Sequence, residues 1–415
     1  AGVYASSYSW KGLADSISIE GNSFVGNTGL NGAGAFAMAY GETGTGDISI
    51  INNTVIGNQA NGGDGAGVYA SAHAIQGNSG NVTVEDNTFS DNLATTYNSY
   101  NEGKGAGLFA HTWSVTSGIS GAINVSDNLF RKNRGVTGGG LYLEVGSASN
   151  HSVPESILVQ NNRIVGNIAE RDGGGAWAHT STDTGSPGDI IFSGNAVIGN
   201  KAKATVPDGQ GAGIYVRLYT GEAVADNTAT FTNNTIAKND SESATGPSGL
   251  YITFEAGSSQ TIELYNNIIF DNGYNDIDIN LYSSGHTVVA HNNDFDSLYP
   301  YSLSIPPDNI NQDPQLRQPG QWADNNTPAD PSDDYWEDGG DYRLMLHSSC
   351  IDAGTGTAPW LPSFDYQGDA RALDGNGDGT QITDIGADEF SVTLSDVIHS
   401  LIFLSGDGLQ TSMPG

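Results

Sequence analysis

Four ionisable residues stand out by type and position: His111, Glu144, His179 and Arg217. Each lies four residues after the glycine of a recurring Gly-aliphatic-aromatic-small motif, here at Gly107, Gly140, Gly175 and Gly213. Two residues after the same glycines stand Phe109, Tyr142, Trp177 and Tyr215. Residues two apart in a strand share a face, so both sets point the same way. Polar groups at the fourth offset argue that this face looks outward, giving an exposed aromatic ladder beside a column of charge. Aromatic side chains offer apolar surface to sugar rings. The charged column could abstract and return a proton while Arg217 holds an anionic group. Three readings stay open: packing under loops or under the carboxy-terminal part, glycan binding without chemistry, and catalysis.

A second constellation is Asp374-x-Asn376-x-Asp378-Gly379. Oxygens at alternate positions before a glycine have the spacing of the first half of a calcium loop, where the glycine permits a sharp turn. An EF-hand places a bidentate acid at its twelfth position. Here that residue is Ile385, with Asp384 one earlier. Calcium held by Asp374, Asn376 and Asp378 and a plain Asp/Gly turn are the two readings.

The elements that position these residues come from a repeat. Asn-x-apolar-x-x-Asn occurs at Asn22, Asn53, Asn87, Asn128, Asn162, Asn195, Asn234 and Asn267, with a decayed copy at Asn293. The spacings are 31, 34, 41, 34, 33, 39, 33 and 26 residues. Apolar residues nevertheless keep fixed offsets from the first Asn, such as Ile48, Ile50 and Val55 around Asn53. Length variation must therefore leave the repeat as loops. Each unit supplies short strands joined by turns, and stacking of units completes a continuous core. The expected fold is all-β: a right-handed parallel β-helix of about nine coils, ~43 Å long at ~4.8 Å per coil. The paired Asn residues read as amide ladders at the turns rather than as a site.

The repeat stops near residue 299. Asp313-Pro314, Gly340-Asp341-Tyr342-Arg343-Leu344, Ser349-Cys350-Ile351-Asp352-Ala353-Gly354, Gly368-Asp369-Ala370-Arg371 and Asp384-Ile385-Gly386-Ala387-Asp388-Glu389 follow in order. This series resembles the choice-of-anchor Q domain, which implies a secreted or surface protein of a bacterium. The coils before it resemble the broad pectate-lyase-like superfamily, which implies the fold and little about activity. The Arg-containing signatures of pectate lyases are absent, and so is the Asp pairing of the related hydrolases. The organisation expected is a β-helix over 1–298, a loop-rich domain over 299–390 and a tail over 391–415. Within the tail, Ser395 to Ser405 has the apolar spacing of a short helix.

Composition narrows the partners. Glycine accounts for 57 of 415 residues, and charged residues for only 15%, as in turn-rich all-β proteins. Lys and Arg total 14 against 47 Asp and Glu, a formal charge of −33. Such a surface repels nucleic acid and anionic membranes, so neither is expected as a partner. No stretch reaches the ~18 apolar residues of a membrane span. The single cysteine, Cys350, excludes an intrachain disulfide. The first residues lie inside a repeat, which points to a processed or incomplete start. An uncapped first coil would otherwise pair end to end with another copy and form a filament. The expected function is that of an extracellular structural or adhesive rod, able to form a homopolymer. The alternatives are a glycan-binding surface protein and a polysaccharide lyase or hydrolase.

Overall fold

Alternation of apolar and polar residues makes a strand with one buried face, and each repeat carries such segments in a fixed order. In the computed structural model, the described residues are 2–391 apart from 97–101, 117, 149–153, 204–208, 222–225, 244–245, 256–259, 282–284, 301–304 and 327–333. Equivalent segments of successive repeats pair in parallel and in register, building four long sheets. The first has ten strands, from Val3–Ser9 through Leu141–Ser147 and Ala176–Thr182 to Leu298–Tyr299. The second and third have nine strands each and begin at Ile17–Glu20 and Ser23–Val25. The fourth has seven, from Thr28–Gly29 to Asp240–Ser241.

The result is the all-β parallel solenoid expected, with no helix among the described residues. The coil count needs correcting. Nine repeats are visible in the sequence, but the seven-stranded fourth sheet limits the complete turns to seven. The fourth strand drops out after Asp240–Ser241 because the next turn is shortened. Asp276 follows Asn272 by only four residues, and its Oδ1 accepts from Asn272 Nδ2 at 3.0 Å, closing the turn where a strand would otherwise run. The expected helix between Ser395 and Ser405 lies outside the described residues.

One continuous core runs the length of the solenoid. Its rows repeat residue on residue, as in Ile48, Val82, Ile123, Ile157 and Ile190, all fully buried. Phe89 and Phe130 stack at 4.7 Å between ring centres. The Asn ladders form as expected. Asn87 Oδ1 accepts from the backbone N–H of Asn53 at 2.8 Å and from its Nδ2 at 3.0 Å. This pattern continues to Asn293, which donates to Asn309 Oδ1 at 2.8 Å, so the carboxy-terminal region supplies a further rung.

That region packs along the flank of the solenoid through a small antiparallel hairpin, built of two strand pairs with one nested within the other, and several turns. Trp336, 2% exposed, lies over Gly166 and Gly199. A Cβ at Gly199 would meet the indole at 2.3 Å, and the backbone there has φ +60°. Glycine is required at this position on both counts.

Candidate functional site

The outward face of the first sheet carries the residues singled out above. Register places His111 beside Glu144, Glu144 beside His179, and His179 beside Arg217, on four consecutive strands. Phe109, Tyr142, Trp177 and Tyr215 form the parallel column two residues earlier, continued by Tyr251. Their opposite neighbours, such as Leu141, Leu143, Ala176 and Ala178, belong to the solenoid core. The aromatics form a separate cluster outside it.

The ladder points outward, but it is not exposed. Phe109, Tyr142 and Trp177 are 6%, 4% and 8% exposed. The reason is ring-on-ring stacking at the coil repeat. Centres lie 5.4 Å apart for Phe109 and Tyr142 and 4.2 Å for Tyr142 and Trp177, with planes 7° and 6° from parallel. Each ring face is thus hidden by the next ring, and Lys104 Nζ sits 4.8 Å from the centre of the Tyr142 ring. The stack loosens at its far end. Trp177 and Tyr215 are 5.9 Å apart, and Tyr251 is tilted 58° to Tyr215.

A groove of about 610 Å³ opens where the stack loosens. Tyr142, Trp177, Tyr215 and Tyr251 line it together with Glu144, His179 and Arg217. His111 and Phe109 do not line this groove. Glu144 is the hub of the polar row. Its Oε2 accepts from the Tyr142 hydroxyl at 3.2 Å, and its Oε1 lies 3.8 Å from His179 Nδ1. Arg217 Nη2 donates to Glu255 Oε2 at 2.5 Å. Burial pushes both His111 and His179 down to about 4, so both imidazoles are neutral at pH 7. Burial would raise the Glu144 carboxyl, but His111, His179, Lys104 and the Tyr142 hydroxyl outweigh it and hold it low.

Other lining residues were not singled out from the sequence. Lys104, Thr137, Asp172 and Gln210 form a rim on the turns before the strands. Each stands three residues before a motif glycine, so a column at that offset would have found them. The Asp172 carboxylate accepts from the backbone N–H of Gln210 at 2.9 Å, which shows that the rim is built coil on coil. Glu255 stands six residues after Gly249. Asn280, in register with Thr253, carries no motif glycine before it. Lys104, Arg171 and Arg217 line the groove together with Glu144, Asp172 and Glu255, three cations and three anions. The whole chain has 14 against 47.

Asp374, Asn376 and Asp378 lie far along the chain in an exposed turn. Asp374 Oδ1 accepts from Gly377 and Asp378 N–H at 2.8 and 3.1 Å, and its Oδ2 from Gly379 at 2.9 Å. Asn376 Oδ1 accepts from Asp378 N–H at 2.9 Å, and Asp378 Oδ1 from Thr380 N–H at 2.8 Å. These bonds are those of consecutive Asx turns. Among the described residues, no group of three or more His, Cys, Asp or Glu is placed to hold a metal ion, and no helix is long and apolar enough to cross a membrane. Neither family models, nor curated proteins, nor solved structures match this chain, so the resemblances of its coils and carboxy-terminal motifs rest on the motifs themselves.

Proposed function

We propose that the groove on the first sheet binds a sugar chain, and that the solenoid is the rigid extracellular or cell-surface support that presents it. The observation that carries this reading is the coincidence of two features. The ring stack loosens at Tyr215 and Tyr251, and hydrogen-bonding groups of both charge signs surround that same point. A pyranose has an apolar C–H face and a hydroxyl rim, and needs both kinds of partner. The balanced charge of the groove also suits an acidic sugar, which the rest of the surface repels.

Binding is favoured over bond cleavage. His179 Nε2 is buried and makes no hydrogen bond among the described residues, so a ligand in the groove does not reach it without rearrangement. Glu144 and Glu255 lie on strands three coils apart. That is ~14 Å along the axis, beyond the ~6.5–9.5 Å that separates the carboxylates of an inverting glycosidase.

The test is calorimetric titration with neutral and uronic-acid oligosaccharides of four to eight residues. We expect binding that falls at least tenfold in the double variant Tyr215→Ala, Arg217→Ala. Absence of binding at millimolar ligand, or equal binding by the variant, would overturn the reading. Should a glycan-degrading activity be found, His179→Ala with Arg217→Ala is expected to abolish it, and full retention would place the chemistry elsewhere.

A further inference from the structure

The carboxy-terminal region holds an unusual concentration of buried acid. Asp365, Asp384, Asp388 and Glu389 are 3%, 1%, 3% and 1% exposed. One cation, Arg371, is buried among them. Its Nη1 lies 3.6 Å from Glu389 Oε2, and its other bonds go to the carbonyls of Gly386, Ala387 and Asp388. Fully ionised, the four carboxylates and one guanidinium would leave three uncompensated negative charges out of water, which is strongly unfavourable. Backbone N–H groups offset part of this, four of them on Asp365, but burial still dominates at Asp384 and Asp388. Asp352 faces Asp384; Arg343, Asp365 and Tyr366 face Asp388; and Cys350, paired with Asp294 of the solenoid, lies on the Asp384 side. The solenoid residues bonded to this segment are Asn233, Thr235 and Asn266, none of them charged.

The same short segment is one of the contacts that fasten the region to the solenoid, beside Trp336 and the bonds of Asn266 and Asn292 to the carbonyls of Thr355 and Ala353. Asn233 Nδ2 donates to the carbonyls of Asp384 and Gly386 at 2.9 and 3.1 Å. Gly386 N–H donates to the Asn266 carbonyl at 2.7 Å, and Ala387 N–H to Thr235 Oγ1 at 2.9 Å. Ile385, Leu344, Cys350 and Phe390 close over Ile268 of the solenoid. Charge gained by the cluster therefore acts directly on the contact.

We propose that Asp384 and Asp388, buried in this cluster, form a proton-held latch: they keep the carboxy-terminal region seated on the solenoid flank while they retain their protons, and they release the region as the pH rises. Burial pushes Asp384 up to about 8 and Asp388 up to about 7. Both lie above the ~3.9 of an unfolded aspartate. The seated state then binds more protons than the released one, so its stability declines as the pH rises from about 4 and levels off only above about 8.

Cys350 is a built-in reporter. It is the single cysteine of the chain, it is fully buried in this contact, and release uncovers it. The experiment measures labelling of the intact protein by a maleimide between pH 6 and pH 9, each rate normalised to that of a free cysteine peptide. We expect the normalised rate to rise at least tenfold while the far-ultraviolet circular dichroism of the solenoid stays constant. In Asp388→Asn, which keeps an acceptor for the Leu344 N–H but cannot ionise, the rise should shrink several-fold; Asp384→Asn is the second variant. A flat normalised rate in the wild-type protein overturns the proposal. So does a rise accompanied by loss of the β signal, or one unchanged in a folded variant.

Discussion

Asn162 shows how much one side chain does in this fold. Its Oδ1 accepts from the backbone and side chain of Asn128, both at 3.0 Å, and its Nδ2 donates to Val125 O at 2.9 Å and to Asn195 Oδ1 at 3.0 Å. It is fully buried. Asn162→Ala leaves several of these groups without partners, and we expect a loss of about 2–4 kcal/mol, read as a lowered denaturant midpoint. An unchanged midpoint would mean that water replaces the amide. The groove histidines give a second prediction at this scale. His111 and His179 are held at about 4 by burial, below the ~6.5 of an unfolded histidine. The unfolded chain binds more protons between these values. The stability contributed by the neutral imidazoles is therefore complete above about pH 6.5 and is lost as the pH falls towards 4. For His179, 7% exposed, the effect is on the order of 3 kcal/mol. Melting curves from pH 7 to pH 4 should show the decline, and His179→Asn should reduce it. A decline of equal size in that variant would assign it to other groups.

At the scale of elements, strand alternation found the outward face but not its burial. Tyr142 and Trp177 sit at outward positions, as the period of two requires, yet the parallel in-register sheet brings identical positions close enough for the rings to hide one another. Docking of the hairpin at Trp336 depends likewise on a turn position, Gly199, which looks unremarkable in the repeat. Gly199→Val combines a strained left-handed backbone with a collision against the indole. The expected result is undocking of the hairpin, seen as a red shift of tryptophan emission, with the solenoid intact. Unshifted emission would show that the hairpin adjusts. The Asp374 turn yields a proposal on calcium. Its side chains alternate as ligands would, although each already accepts backbone N–H groups. If calcium binds there, millimolar calcium raises the melting temperature and Asp374→Ala removes the rise. If the turn closes through its own hydrogen bonds alone, neither change appears.

For the whole molecule, the two titrating regions act in opposite directions. The groove histidines favour neutral over acidic conditions, and the carboxy-terminal acids favour acidic over alkaline ones. A solenoid is held by nearest neighbours, so each effect stays local. Melting of the groove coils and release of the flank should separate in a pH series. The function proposed for the groove depends on coils that contribute one residue each. No coil holds the site alone, which is why Glu144, His179 and Arg217 are 35 and 38 residues apart in sequence and adjacent in space.

The sequence by itself determined the all-β class, the coil repeat, the Asn ladders and the outward column of His111, Glu144, His179 and Arg217. All of these follow from periodicity, because the offset from a motif glycine sets both the strand face and the place along the axis. Three things were decided only by the tertiary structure. Stacking distance made the aromatic ladder buried rather than exposed. The loss of the fourth strand after Asp240–Ser241 left seven complete turns instead of nine. The seating of the carboxy-terminal region on the flank gathered Asp365, Asp384, Asp388, Glu389 and Arg371 into one buried cluster. The first and third depend on distances between segments far apart in the chain, which no local pattern carries; the second comes from the short Asn272–Asp276 turn, whose effect on pairing shows only when the coils are stacked.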